Sequence, residues 1–214
     1  GVSPYTEIKK RARVLIFDTR EGFHSYAKLT TDDRVESFLG YYHPRFQQLL
    51  LYEDRRDVKG TDTLRVLYHE GLHQFTHGFI PQMPFWLAEG LAEYYAGSRI
   101  ESGAVTARGL LHKGRVRDLQ RYLAGRSHIP FKKLMLESPA EFYSGAVAVK
   151  YAQAWSMCHF FCHGSNGRYQ ALLSRYLRLL KENHSAADAF KKTFAEIDIK
   201  ACEQRWRKHI KSWR

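Results

Sequence analysis

The chain has 214 residues, of which 44% are hydrophobic, 14% aromatic and 26% charged. This composition is typical of a packed globular protein and excludes a disordered or fibrous chain. Every apolar run is shorter than the roughly 18 residues that a membrane-spanning helix needs, which excludes a membrane span. We expect a single domain over residues 1–214, with residues 1–55 mainly sheet and residues 60–214 mainly helical.

The charge is strongly basic, with 34 Lys and Arg against 22 Asp and Glu and a formal net charge of +12. Such a surface attracts acidic partners but does not identify them. The 3 cysteines are too few for a disulfide framework. The chain begins with Gly1 instead of Met, which favours an exported protein whose signal segment has been removed, while the compartment stays open.

The first quarter of the sequence predicts a small sheet. Residues 12–18, A-R-V-L-I-F-D, are apolar and rich in branched side chains, as in a buried strand. Residues 21–29 predict a short helix. Residues 38–53 predict two strands that turn around Pro44, because proline interrupts a run of aromatic residues and leucines.

The rest of the sequence predicts helices. After Gly60 an apolar stripe recurs every three or four residues, which predicts an amphipathic helix with one apolar face: Leu64, Tyr68, Leu72, Phe75 and Phe79. A second helix is expected to begin at Pro84 and end at Gly97. Further helices are predicted over residues 116–123, 139–162, 169–182 and 186–213. The fold class is therefore α+β, with a small N-terminal mixed sheet followed by a helical part.

The first long helix carries the motif His69-Glu70-Gly71-Leu72-His73, an H-E-x-x-H sequence. At 100° per residue, His69 and His73 project from the same face one turn apart and can share a metal ion. The apolar stripe lies on a different face. The motif therefore predicts a helix with separate packing and ligand faces.

A catalytic zinc ion takes three protein ligands and keeps one position for water, so the two histidines need a partner. Glu89 and Glu93 are one turn apart on the next predicted helix, W-L-A-E-G-L-A-E-Y, and either could be that partner. The alternative is that both carboxylates belong to a solvated acidic face.

The combination of H-E-G-L-H with a later W-L-A-E-G resembles the gluzincin metallopeptidases, and bacterial peptidase-MA-like proteins of unknown function in particular. The resemblance extends over roughly Val14 to Phe161. It implies a zincin-like fold, a Zn²⁺ cofactor, and His69, His73 and Glu89 as the metal ligands.

Other side chains near these ligands have expected roles. Glu70 would act as general base, taking a proton from water and passing it to the leaving amine. Glu93 either holds a histidine ring through its N–H or is a surface carboxylate. His77 lies four residues after His73 and is a candidate to support the site or to compete as a ligand. The metzincin pattern does not fit, because its third histidine position is Phe79 here.

A hydrogen-bond donor for the oxyanion is expected besides the metal. Tyr151, in Y-A-Q-A-W, is similar in position to the tyrosine of a Y-E-K-G-type segment in gluzincin aminopeptidases, although Gln153 and Ala154 replace the Lys-Gly pair. Tyr151 also fits a core stripe of its helix, and Tyr143 is the reserve candidate.

The sequence thus predicts a zinc peptidase that acts on peptides or proteins. The G-x-M-E-N amine anchor of the aminopeptidases is absent upstream of the motif helix, which favours an endopeptidase. We expect an extended substrate to bond to a sheet edge near Leu49–Tyr52. The alternative is an inactive metal-binding domain that recognises peptide or polyanion. The oligomeric state stays open.

Two other patterns are not taken as functional sites. Cys158-His159 and Cys162-His163 have no second ligand pair at suitable spacing, so core cysteines are expected. The basic stretches over residues 107–133 and 200–214 accompany no nucleic-acid-binding motif and are interpreted as solvated helix faces.

Overall fold

The structure, a computed structural model, describes residues 13–31, 38–53, 61–125 and 127–213. It confirms an α+β protein in which a small N-terminal mixed sheet is followed by helices. Contacts group the chain into two compact units, Gly1–Gln74 and Phe75–Arg214. One domain over the whole chain stays a prediction. None of the described helices combines the length and apolarity needed to cross a membrane.

The N-terminal unit contains a three-stranded sheet. Its elements are β1 (Arg13–Phe17), α1 (Arg20–Thr30), β2 (Gly40–His43), β3 (Gln48–Tyr52) and the start of α2 (Thr61–His77). The strand order is β1-β3-β2, with β1 parallel and β2 antiparallel to β3. The two strands expected around Pro44 are therefore confirmed. Residue 12 of the first predicted strand lies outside the described residues.

The middle strand, β3, is covered on both faces. Leu49, Leu50 and Leu51 are each at most 1% exposed. Because successive side chains of a strand point to opposite faces, Leu50 packs with Phe23 of α1 while Leu49 lies beside Gly71 of α2. The expectation of a sheet edge at Leu49–Tyr52 is wrong, since strands on both sides already pair with β3.

Two expectations about burial are also wrong. The first strand is not buried, because Val14 is 45% and Ile16 59% exposed in β1, which pairs only with β3 among the described strands. The apolar face of α2 is not buried either, since Leu64 is 47% and Phe75 52% exposed. Periodicity places these side chains on one helix face, but it does not dictate that another element covers that face.

The C-terminal unit is mainly helical. Its further elements are α3 (Phe85–Ala96), β4 (Arg99–Glu101), β5 (Ala104–Ala107), α4 (Lys113–Ala124), α5 (Phe131–Met135), α6 (Pro139–Phe142), α7 (Val147–His163), α8 (Gln170–Lys181), α9 (Ala186–Phe194) and α10 (Ile199–Lys211). The β4–β5 hairpin and α5 were not expected from the sequence.

Two of the predicted long helices are each divided in two. The helix expected over residues 139–162 is interrupted between α6 and α7, where Gly145 has a φ of +64° that favours glycine. The helix expected over residues 186–213 is interrupted before α10, where the Asp198 carboxylate accepts hydrogen bonds from the N–H groups of Lys200 and Ala201, both at 3.0 Å. Each interruption is stabilised by local hydrogen bonding or backbone geometry.

Helices α3 and α7 approach each other closely at Gly90. A Cβ atom at Gly90 would lie 2.5 Å from the carbonyl oxygen of Ala154 and 2.7 Å from the Sγ of Cys158. Only glycine fits this approach. Cys158 is completely buried, which confirms a core cysteine, whereas Cys162 is half-buried; burial raises the pKa of both thiols.

Two histidines of α7, His159 and His163, lie near His209 of α10, and of these three only His159 is buried. The Nδ1 of His159 is 3.1 Å from the Nε2 of His209, and the hydroxyl of Tyr94 is 2.9 Å from the Nε2 of His163. His159 is 8% exposed. Burial, with added repulsion from His163 and His209, lowers the pKa of His159 from 6.5 to about 3. His159 is therefore neutral at physiological pH.

This lowered pKa predicts a loss of stability in acid. The unfolded chain binds a proton at His159 below pH 6.5, whereas the folded chain binds it only near pH 3. Stability is therefore full above pH 6.5 and falls towards pH 3, by at most about 1.4 kcal/mol per pH unit from this group. Urea unfolding between pH 7 and pH 4 should show a shallower loss for His159→Gln than for wild type. His184→Gln, outside this group of histidines, should keep the wild-type slope, and an unchanged slope in His159→Gln would contradict the prediction.

Candidate metal centre

The two motif histidines lie one turn apart on α2, as the spacing predicts. Their Nε2 atoms are 3.1 Å apart, and the rings are nearly perpendicular, with centroids 4.9 Å apart. Two imidazole nitrogens bound to a tetrahedral zinc ion at 2.0–2.1 Å are separated by about 3.3 Å. His69 and His73 are therefore spaced as a pair of metal ligands would be.

Glu70, between these histidines, is oriented by the sheet. The backbone N–H of Tyr42, on β2, donates a hydrogen bond of 2.9 Å to the Oε2 of Glu70. This close approach depends on Gly40, because a Cβ atom there would overlap the Cγ1 of Val66 and lie 3.3 Å from the Cγ of Glu70. A rigid backbone donor thus fixes one oxygen of the carboxylate.

Glu89 lies on α3 and is only 5% exposed. The hydroxyl of Tyr143 donates a hydrogen bond of 3.0 Å to its Oε1. A buried carboxylate requires partners of this kind, because removing its charge from water is costly. Glu89 is therefore a buried, hydrogen-bonded carboxylate and not part of a solvated acidic face.

Three of the expected ligands come together. His69, His73 and Glu89 each offer one ligand atom, and these atoms lie within 4.8 Å of one another. Elsewhere in the described ranges, no group of three His, Cys, Asp or Glu side chains brings its ligand atoms this close. Two imidazole nitrogens and one carboxylate oxygen form a donor set that fits a divalent transition metal. The three residues could hold a metal ion.

Both tyrosines expected near the site lie close to Glu89. Tyr143 bonds to it directly, and Tyr151 packs on Phe142 with ring centroids 5.6 Å apart. Burial raises the pKa of Tyr151, and the neighbouring Glu89 charge and Tyr143 hydroxyl raise it further. Tyr151 is thus a neutral hydroxyl beside the same carboxylate.

Comparison with known families gives a match over much of the chain. The family described as Protein of unknown function (DUF1570) matches residues 63–181, which is more than half of the 214 residues. The chain belongs to the DUF1570 family. No curated protein matches the sequence of this DUF1570 chain.

The part of the chain that matches the DUF1570 family contains every residue with an expected role in the site. The H-E-x-x-H motif, Glu89, Tyr143 and Tyr151 all lie within residues 63–181. The sheet that supplies the Tyr42 N–H lies before the matched residues.

The remaining candidates of the DUF1570 chain lie outside the triad. The carboxylate of Glu93 accepts a hydrogen bond of 2.8 Å from the guanidinium of Arg115, an ion pair that the sequence did not indicate. The role of Glu93 in holding a histidine ring stays a prediction. His77 is half-buried at the end of α2 and is not among the three residues brought together.

Proposed function

We propose that this chain is a zinc-dependent peptidase with a zincin-like fold. The observation that carries the proposal is the convergence of the His69, His73 and Glu89 ligand atoms within 4.8 Å. Structural zinc sites have four protein ligands, whereas catalytic sites have three and keep one position for water or substrate. A set of three ligands therefore favours catalysis over a structural role.

The ligand set also favours zinc among the divalent cations. Two imidazoles and one carboxylate are a common catalytic zinc set, whereas magnesium and calcium prefer oxygen ligands only. A zinc ion held there would supply a Lewis acid that polarises the substrate carbonyl and lowers the pKa of a bound water to about 7.

Glu70 would move the proton in this reaction. The Tyr42 N–H donates to its Oε2 and orients the carboxylate, which would take a proton from the attacking water. As the carbon–nitrogen bond breaks, Glu70 returns that proton to the leaving amine. The net reaction adds one water to one peptide bond and leaves Glu70 as it began.

We propose that the chain acts as an endopeptidase, which cleaves bonds within a peptide. The sequence lacks the G-x-M-E-N segment that anchors a free substrate amine in the related aminopeptidases. The formal net charge of +12 would favour acidic protein substrates through long-range attraction.

The test combines metal analysis with digestion of a peptide library. The purified chain should contain about one zinc ion per molecule by mass spectrometry. It should cleave library peptides internally, lose this activity after treatment with 1,10-phenanthroline, and regain it when zinc is added back. Zinc binding without cleavage in any preparation would contradict a peptidase and support the inactive metal-binding domain.

Removal of the proposed carboxylate ligand should abolish tight zinc binding. Glu89→Ala is expected to weaken zinc binding. The loss of affinity should exceed the roughly 10–100-fold that follows when a metal ligand loses an outer hydrogen-bonding partner. Glu93→Ala, one turn along the same helix and outside the triad, is the matched control and should bind zinc more tightly than Glu89→Ala. Competition with a fluorescent zinc chelator measures both values. Equal affinities in the two variants would contradict Glu89 as a ligand.

A further inference from the structure

We infer that Tyr143 is a positioning residue that holds Glu89 for metal binding, instead of a donor to the substrate oxyanion. This inference rests on the proposed function, in which Glu89 is a metal ligand. It assigns the reserve candidate for the oxyanion a different task, which acts through Glu89.

The hydrogen bond between Tyr143 and Glu89 is the first observation that supports a positioning role for Tyr143. The Tyr143 hydroxyl donates to the Oε1 of Glu89 at 3.0 Å. A tyrosine hydroxyl has a single proton to donate, so the same proton cannot serve an oxyanion unless this bond breaks. A carboxylate held by such a hydrogen bond keeps a defined orientation, in which it can offer one oxygen to a metal ion.

The Tyr143 ring is held by aromatic neighbours. It packs edge-on against Phe85, at the start of α3, with centroids 5.2 Å apart and an interplanar angle of 79°. It also packs edge-on against Phe142 at 5.6 Å. Phe85 lies on the same helix as Glu89, so this contact ties the tyrosine to the helix whose carboxylate it bonds.

The backbone that carries Tyr143 is also anchored. Its N–H donates to the carbonyl of Pro139 at 3.1 Å, which closes the last turn of α6. Lys150, on α7, forms an ion pair of 3.0 Å with Glu137 and donates to the carbonyl of Glu141. The side chains of that ion pair are only 8% and 6% exposed. The anchored segment between α6 and α7 therefore keeps the Tyr143 hydroxyl in position to donate to Glu89.

The test compares zinc affinity in Tyr143→Phe and Tyr95→Phe. Tyr95 is an exposed tyrosine on α3 outside the triad, so it controls for loss of a hydroxyl. Competition with a fluorescent chelator should show zinc binding about 10–100-fold weaker in Tyr143→Phe and unchanged in Tyr95→Phe. At saturating zinc, kcat of Tyr143→Phe should return to near the wild-type value. Thermal unfolding of the zinc-free proteins should show that both variants fold.

The outcomes separate this inference from the proposed function. Wild-type zinc affinity in Tyr143→Phe, with a reduced kcat at saturating zinc, would overturn the inference and restore the oxyanion role. If wild type binds zinc but cleaves no peptide, the peptidase proposal fails, whereas weaker zinc binding by Tyr143→Phe still supports the positioning role. If wild type binds no zinc, both are overturned.

Discussion

Glu70→Gln is expected to lower kcat for peptide hydrolysis by about 10²–10⁴-fold, the usual contribution of a general base. Glutamine cannot accept the proton that Glu70 is proposed to take from water. Its amide oxygen can still accept the hydrogen bond from the Tyr42 N–H that Glu70 accepts at 2.9 Å, so the local structure should persist. Zinc content should therefore stay at the wild-type level.

The control for this variant is Glu101→Gln, which makes the same chemical change at an exposed position of the β4–β5 hairpin. It should cleave the library at the wild-type rate. Peptide cleavage by Glu70→Gln at that rate would contradict the general-base role. Zinc loss in Glu70→Gln would show instead that the carboxylate supports the metal centre itself.

Gly90→Ala is expected to cost about 1–3 kcal/mol or more in the free energy of unfolding, which is the range for overpacking a core. The added methyl group would lie 2.5 Å from the carbonyl oxygen of Ala154 and 2.7 Å from the Sγ of Cys158. A backbone oxygen cannot turn aside as a side chain can, so α3 or α7 must shift. Urea unfolding measures the loss.

Gly125→Ala is the matched control for Gly90→Ala. Gly125 has a φ of −75°, and a Cβ atom there meets its nearest neighbour, the Oγ of Ser127, at 3.4 Å. The stability of Gly125→Ala should change little, because alanine can adopt this φ and its methyl group has room. Glu89 precedes Gly90, so zinc affinity should also fall in Gly90→Ala. Wild-type stability in Gly90→Ala would contradict the close contact between α3 and α7.

The elements and the candidate ligands with strong local signals were predictable from the sequence. The 3.6-residue period located α2, and proline and glycine marked the start and end of α3. The spacing of His69 and His73 fixed their common face without any tertiary information. Glu89 was indicated by the resemblance of its segment to known metallopeptidases.

Other features depend on contacts that a local pattern does not contain. The four consecutive residues Leu49–Tyr52 indicate burial, but they do not reveal that β1 and β2 pair on either side of them. The division between α6 and α7 did have a signal in Gly145, which takes a positive φ there. The apolar period of the surrounding residues obscured it.

The hydrogen bonds of the site were the least predictable part. The donor to Glu70 is the backbone N–H of Tyr42. Every residue except proline has this group, so the residue type does not show which N–H will donate. The donor to Glu89 is Tyr143, which lies 54 residues further along the chain. Tyr143 directly follows the end of α6, at a break that the continuous helix expected over residues 139–162 did not include.

The position of β3 has a consequence for how the chain emerges during synthesis. Of the three strands of this sheet, the middle one is translated last, so neither β1 nor β2 has its partner strand until Gln48–Tyr52 leaves the ribosome. Until then both carry unpaired amide and carbonyl groups, which invite pairing with other nascent chains. Arrest or truncation before residue 48 should therefore yield aggregation-prone fragments instead of a partly assembled sheet.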